Sequence, residues 1–457
     1  MTDTGERGPS VLSRLLRAYG MLGVLVLLAV FFSVATIQEQ QPGGEAAARS
    51  VARQLEGTQL EGATVVIVGR GGDEDARFAD TLARRVRERT GVVPLVVTGD
   101  PAEARTALGR LAEQGVTRCV IATTQASAGV VRSILEQLPA LAGARVLIPA
   151  SYRWPTFLLP ENLRNVANQI AVIAILAVGM TMVIVTGGID LSVGSLIALA
   201  AVVTASLIGR MGGEGAGTAA MILGGMATMV LCGAIGAFSG VMITRFKVPP
   251  FIATLAVMQV ASGLAYIISA GRPVYRLPQS FVLLGRGADP VLGIPWAVLL
   301  MGVLYATAHV LMARTTLGRY IYAVGGNAEA ARLAGVRVAA VLLFVYAACG
   351  ALAGLGGVVM ASQLRSGAPT YGVMYELYVI AAVVVGGTSL SGGEGTIPGT
   401  LVGAFIIAVI QNGMNLTHVE SYTQKVVLGL VILGAVLLDR LKQRGMRRRG
   451  RSQGSGG

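Results

Sequence analysis

Two short segments put ionisable and hydroxyl side chains where an apolar chain breaks: Gly187-Gly-Ile-Asp-Leu-Ser-Val-Gly-Ser195 and Gly386-Gly-Thr-Ser-Leu-Ser-Gly-Gly-Glu394. Both read G-G-x-x-L-S-x-G and agree at five of eight positions. Glycine lets helices break and backbones approach closely, and broken backbone at membrane depth persists only where protein or a water-filled cavity satisfies it. A carboxylate at a helix centre costs roughly 2.5–3.5 kcal/mol on insertion scales, so Asp190 must face the bundle interior, a pathway or the interface. Two roles stay open for it: a cap on the following helix, or a group lining a passage. Glu376, at the outer end of a later apolar run, poses the same question. With Ser192, Ser195, Thr388 and Ser389 these residues suit a mildly polar translocation pathway.

Other chemistries fit less well. An intramembrane hydrolase would have to pair Ser389 or Ser391 with His309 or His418, and no G-x-S-x-G turn is present. Cys119, Cys232 and Cys349 are scattered, without disulfide or metal spacing. No G-x-x-x-x-G-K-[ST] occurs, so any ATP and Mg must be bound by another subunit; no catalytic residue, metal or cofactor is expected in this chain.

A third segment, residues 317–336, is charged and glycine-punctuated between long apolar runs. Asn327 can cap a short helix and Gly335 can end it, but a helix of that length is not stable alone in water. It reads as a docking loop held by a partner.

The elements that position these residues follow from composition. Hydrophobic residues make up 53% of the chain against 13% charged, and apolar stretches of spanning length recur. The expected fold is a polytopic α-helical membrane protein of about ten spans: 19–37, 165–186, 189–208, 218–243, 250–270, 295–312, 339–361, 375–385, 397–416 and 422–438. The eighth is short unless its glycine-rich continuation is also embedded. Placing Arg7, Arg14, Arg17, Arg245, Lys247, the 317–336 loop and the basic tail 442–457 inside satisfies the positive-inside rule. The net charge of +13 is then mostly topology. A basic cluster beside an anionic leaflet explains the tail without nucleic acid, for which no aromatic interleaving or motif is present.

Residues 39–155 break the membrane pattern, with fourteen Arg against thirteen Asp and Glu between 39 and 153. Helices at 45–56, 75–90, 101–114 and 127–138 alternate with strands at 63–68, 92–98, 118–123 and 144–148, which argues a small inserted α/β domain with a parallel sheet. It lies outside the cytoplasm whether 19–37 is an uncleaved anchor or is cut at the signal-peptidase-like Ser33-Val-Ala35. Gly69-Arg-Gly-Gly72 lacks dinucleotide-binding spacing and precedes three acidic residues, so a tight turn is expected there. Thr123, Thr124 and Gln125 are the candidate ligand crevice at the strand ends. The domain organisation is thus 1–38, 39–155, 156–441 and 442–457.

From Asn162 to Leu441, with the first span, the chain resembles the permease subunit of ribose-type sugar importers of the ATP-binding-cassette class. The residues carrying the likeness are Ala177 to Ser195 around the first glycine motif, Pro250-Phe-Ile-Ala-Thr-Leu255, Leu317 to Val336, and Ala381 to Gly399 around the second. The resemblance implies a bacterial inner-membrane protein, two permease copies, a cytoplasmic ATPase and an extracytoplasmic solute-binding protein. It implies that Gly325, Gly326, Asn327, Glu329, Ala330, Arg332, Leu333 and Gly335 form the ATPase-coupling loop. Residues 39–155 depart from the family pattern, in which a short connection joins the first two spans. They leave open a tethered ligand lobe, a platform for a binding protein, an inert insertion, or the sensing domain of a transmembrane receptor.

Overall fold

A computed structural model describes residues 11–56, 62–116, 118–434 and 436–437. The expected basic tail at 442–457 lies outside them. The chain divides into two compact units, residues 37–156 and the remainder.

The smaller unit is built on a parallel sheet. Strands β2 (Thr64–Arg70), β3 (Leu95–Gly99), β4 (Cys119–Thr123) and β5 (Arg145–Leu147) lie in the order β3-β2-β4-β5. Period-two alternation sends Val65 and Ile67 to one face, under α2 (Gly44–Glu56) and α3 (Asp73–Thr90), and Val66 and Val68 to the other, under α4 (Pro101–Glu113) and α5 (Gln125–Glu136). Burial on both faces explains why the two central strands, β2 and β4, are continuously apolar. The helix expected at 127–138 begins two residues earlier, directly after Thr124. A two-stranded antiparallel ribbon, β1 (Ile37–Gln40) with β6 (Tyr152–Pro155), joins the ends of the unit.

The larger unit is a helical bundle. Helix α1 (Val11–Ala35) is followed, after the α/β unit, by α6 (Pro160–Val185), α7 (Val193–Arg210), α8 (Thr218–Arg245), α9 (Pro250–Ser269), a short α10 (Val282–Arg286) and α11 (Trp296–Arg314). Then come α12 (Thr316–Gly326), α13 (Ala328–Leu333), α14 (Val338–Leu364), α15 (Tyr375–Val385), α16 (Ile397–Leu416) and α17 (Ser421–Gly434). Among the described residues seven helices are long and apolar enough to cross a membrane; the apolar parts of α1, α15 and α17 are shorter. Helix α6 is central and almost wholly buried, with Tyr305 of α11 donating to its Ala174 carbonyl at 3.0 Å and Thr181 sharing a 2.7 Å hydrogen bond with Thr400 of α16.

Three expectations need correction. The third span does not start at 189, because residues 187–192 form a turn and α7 begins at Val193. Residues 317–326, the first half of the expected loop, are helical within α12, with Thr315 Oγ1 accepting from the Gly318 N–H. The eighth expected span, 375–385, is not of spanning length as a helix. Helix α15 has eleven residues, about 17 Å at 1.5 Å each, against roughly 30 Å of hydrocarbon. The segment 365–374 runs down the side of α7: Gly367 lies against Ala201 and Ala205, and Gly372 against Gly194 and Ile197. Backbone groups there pair within the protein: Gly367 exchanges two hydrogen bonds with Val274 at 2.8 and 2.9 Å. Met374 then takes φ +69°, a left-handed conformation costly for a side chain, before α15 begins.

Candidate translocation and coupling sites

The turn after α6, the end of α12 and the loop between α15 and α16 meet backbone to backbone. The Gly393 N–H donates to the Val185 carbonyl at 2.8 Å. A methyl group on Gly325 would overlap that carbonyl oxygen and lie 2.7 Å from the Gly393 nitrogen, while one on Gly392 would lie 3.0 Å from the Gly187 nitrogen. The two related motifs therefore touch, and the segment leading into α13 is the third member of the junction. Tyr322 of α12 adds a hydrogen bond to the Gly395 carbonyl at 2.7 Å. Thr388 and Ser389 are buried beside it, with the Ser389 N–H donating to the Glu394 carbonyl at 3.1 Å.

Beyond Gly326 the chain turns outward. Asn327 Oδ1 accepts from the Glu329 and Ala330 N–H groups at 3.1 and 3.0 Å, capping α13, and Gly335 ends the segment at φ +85°. Ala331 is buried, whereas Leu333 is 79% exposed. Glu329 and Arg332 form an exposed ion pair at 3.0 Å, a contact of the kind worth little to stability. The face that the bundle leaves open is a short helix with one apolar and two charged side chains.

Asp190 is fully buried. Its Oδ1 accepts from the Ser192 N–H at 2.9 Å and the Ser192 hydroxyl at 2.6 Å, an Asx-type turn leading into α7. The Tyr346 hydroxyl and Cys349 thiol of α14 are its neighbours, and the Leu191 N–H donates to the Thr254 hydroxyl of α9 at 3.1 Å. This is the geometry of a helix start locked inside packed protein.

Ser195 and Glu376 come together elsewhere, on a cavity of about 180 Å³ between α7, α9 and the segment entering α15. Gln259, Ser262 and Tyr371 complete its polar lining. Glu376 folds over Gly194, so that a methyl group there would overlap its carboxylate. Sequence reading missed Gln259, although a lone amide in the middle of an apolar twenty-residue run is as anomalous as Asp190.

In the α/β unit the expected crevice residues are largely occupied. The buried Thr123 hydroxyl donates to the Val68 carbonyl at 2.8 Å, Thr124 is buried and pairs with Ser127 at 3.3 Å, and Gln125 is exposed at the start of α5. A larger cleft of about 780 Å³ is lined by Arg49, Arg53, Arg85 and Arg89 with Ser50 and Tyr152. Arg89 pairs with Glu56 there, and Arg49 with Glu45. The i,i+4 spacing of both arginine pairs was the available signal.

Residues 162–436 match the sequence family described as branched-chain amino acid transport system / permease component. The chain belongs to this family of importer permeases. The ribose import permease protein RbsC of Escherichia coli K12 is 44% identical over 313 residues, covering 68% of this chain and 95% of that protein. RbsC of Bacillus subtilis is 43% identical over 312 residues, 68% of this chain and 94% of its own. The L-arabinose transport system permease protein AraH of Escherichia coli K12 is 39% identical over 293 residues, 64% and 87%. No solved structure matches the chain significantly. The permease family is the one that the glycine motifs and the 317–336 segment resemble, and its members are transport subunits of membrane-embedded ABC importers.

Proposed function

We propose that the chain is the permease subunit of an ABC importer that carries a sugar or related polar solute across the bacterial inner membrane, driven by a separate ATPase that binds ATP and Mg. The observation that carries this reading is the junction of Gly187, Gly325 and Gly392, which ties the exposed helix α13 to both glycine motifs with no side chain between them. A groove on the ATPase takes the face of α13 bearing Glu329 and Leu333. Movement of that groove shifts α12 as a rigid lever, and backbone contact passes the shift to the turn after α6 and the loop after α15. Two permease copies enclose the passage, an extracytoplasmic binding protein delivers solute, and rearrangement releases it inward. The α/β unit is exported and takes part in delivery, its arginine-lined cleft being the surface offered to a ligand or a docking protein.

Reconstitution tests the reading. The chain, co-purified with the ATPase it retains and placed in proteoliposomes, should show ATP-driven uptake of a pentose or hexose with stimulated hydrolysis. Absence of any retained ATPase, with ligand binding confined to residues 37–156, would favour a receptor instead.

A further inference from the structure

Gln259 is the tenth of the twenty residues of α9 and its side chain is exposed. At the centre of a spanning helix an exposed amide facing lipid would leave its donors and acceptor unsatisfied in hydrocarbon, so this face of α9 meets water or protein. Helices α7 and α9 run side by side from the 187–192 turn, tied by Leu191 to Thr254, which places Ser195 level with Gln259 on the cavity they share. Helix α15 begins at the same depth, because Glu376 packs on Gly194. A carboxylate, an amide and three hydroxyls thus surround one space midway through the bundle. Among the residues lining it, Glu376 is the one charged side chain.

From this geometry we propose that the permease itself screens solutes by charge: the cavity accepts an uncharged polyhydroxylated solute of one sugar ring and turns away anionic ones, with Glu376 as the screening group. The proposal rests on the import reading and adds to it, because it places selectivity in this chain as well as in a delivery protein. The chemistry is complementary. A carboxylate accepts hydrogen bonds from sugar hydroxyls, while the Gln259 amide and the Ser262 hydroxyl both donate and accept. Ser195, which donates to the Ser192 carbonyl, and Tyr371, which pairs with Ser366, keep acceptor capacity, so a polyol can pair with the lining without carrying charge. A second carboxylate brought beside Glu376 in a site of reduced dielectric meets like-charge repulsion that bulk water would have screened.

The test uses the full chain in proteoliposomes with Gln259→Cys as reporter; Cys119, Cys232 and Cys349 are buried. Membrane-impermeant methanethiosulfonates that differ only in bearing a trimethylammonium or a sulfonate group are added. The cationic reagent should react about tenfold faster than the anionic one through focusing by Glu376. The ratio should fall towards one with Glu376→Gln and be kept with Glu376→Asp. Ser262→Cys is a second reporter on the same cavity should the first fail to fold. Lack of reaction at both reporters, or a ratio indifferent to Glu376→Gln, would overturn the proposal. Failure of ATP-driven uptake of every pentose and hexose tried, with the ratio intact, would sink the import reading and leave the charge screen standing.

Discussion

Gly325 has the least freedom of any residue at the glycine junction, because its α-hydrogen points at the Val185 carbonyl and the Gly393 amide. Gly325→Ala should destabilise the bundle by about 1–3 kcal/mol, the usual cost of overpacking, and should impair transport further by parting α12 from the turn after α6. Melting of the purified protein in detergent checks the first effect, and coupled ATP hydrolysis the second. In the α/β unit, burial pushes the Cys119 thiol up to about 11 from an ordinary 9.0. The folded unit keeps that proton when an unfolded chain would release it, so its contribution to stability is intact below pH 9 and is lost as pH rises from there towards 11. Thiol alkylation of the native protein at neutral pH should accordingly be slow, and denaturant should accelerate it.

Element by element, the sequence disclosed what apolar length and capping residues control. Helices α6, α8, α9, α11, α14 and α16 lie where the apolar runs place them, and Asn327 and Gly335 bracket α13 as their types require. It concealed what depends on close approach. The descent of residues 365–374 beside α7 has no period, and nothing in the chain states that Gly372 opposes Gly194. The candidate site divides in the same way. Asp190 and Ser192 were conspicuous and prove to be a packed turn, whereas Gln259 and Ser262, inconspicuous in an apolar run, line the cavity that Ser195 and Glu376 share. Helix α13 carries the sharpest prediction at this scale. Its Glu329 and Leu333 side chains are 76% and 79% exposed, so Glu329→Arg with Leu333→Asp should leave melting within about 0.5 kcal/mol of wild type, as exposed substitutions do. The same variant should abolish solute-stimulated hydrolysis. Wild-type transport would count heavily against the coupling assignment.

For the whole molecule, the informative place is where the chain leaves the bundle and returns. Thr36 Oγ1 accepts from the Phe157 N–H at 3.1 Å and donates to the Phe32 carbonyl at 2.7 Å, and Phe32 is seated on Gly413 of α16 with its ring 6.3 Å from that of Phe157. Both ends of the gap are fixed by the bundle's own residues. Replacing residues 37–156 with a short Gly-Ser linker should therefore leave the bundle's melting temperature unchanged, and the excised unit, with apolar clusters on both faces of its sheet, should fold by itself. Loss of the bundle fold on excision would show that the insertion supports it.

That closed gap has an evolutionary reading. The entropy of closing a loop rises by only about 0.6 kcal/mol for each doubling of its length, so a bundle that already holds both ends a hydrogen bond apart gains a domain there at almost no thermodynamic penalty. Such a position behaves as a socket: whatever sequence begins and ends at one point can be grafted into it, and selection is left free to act on what the graft binds.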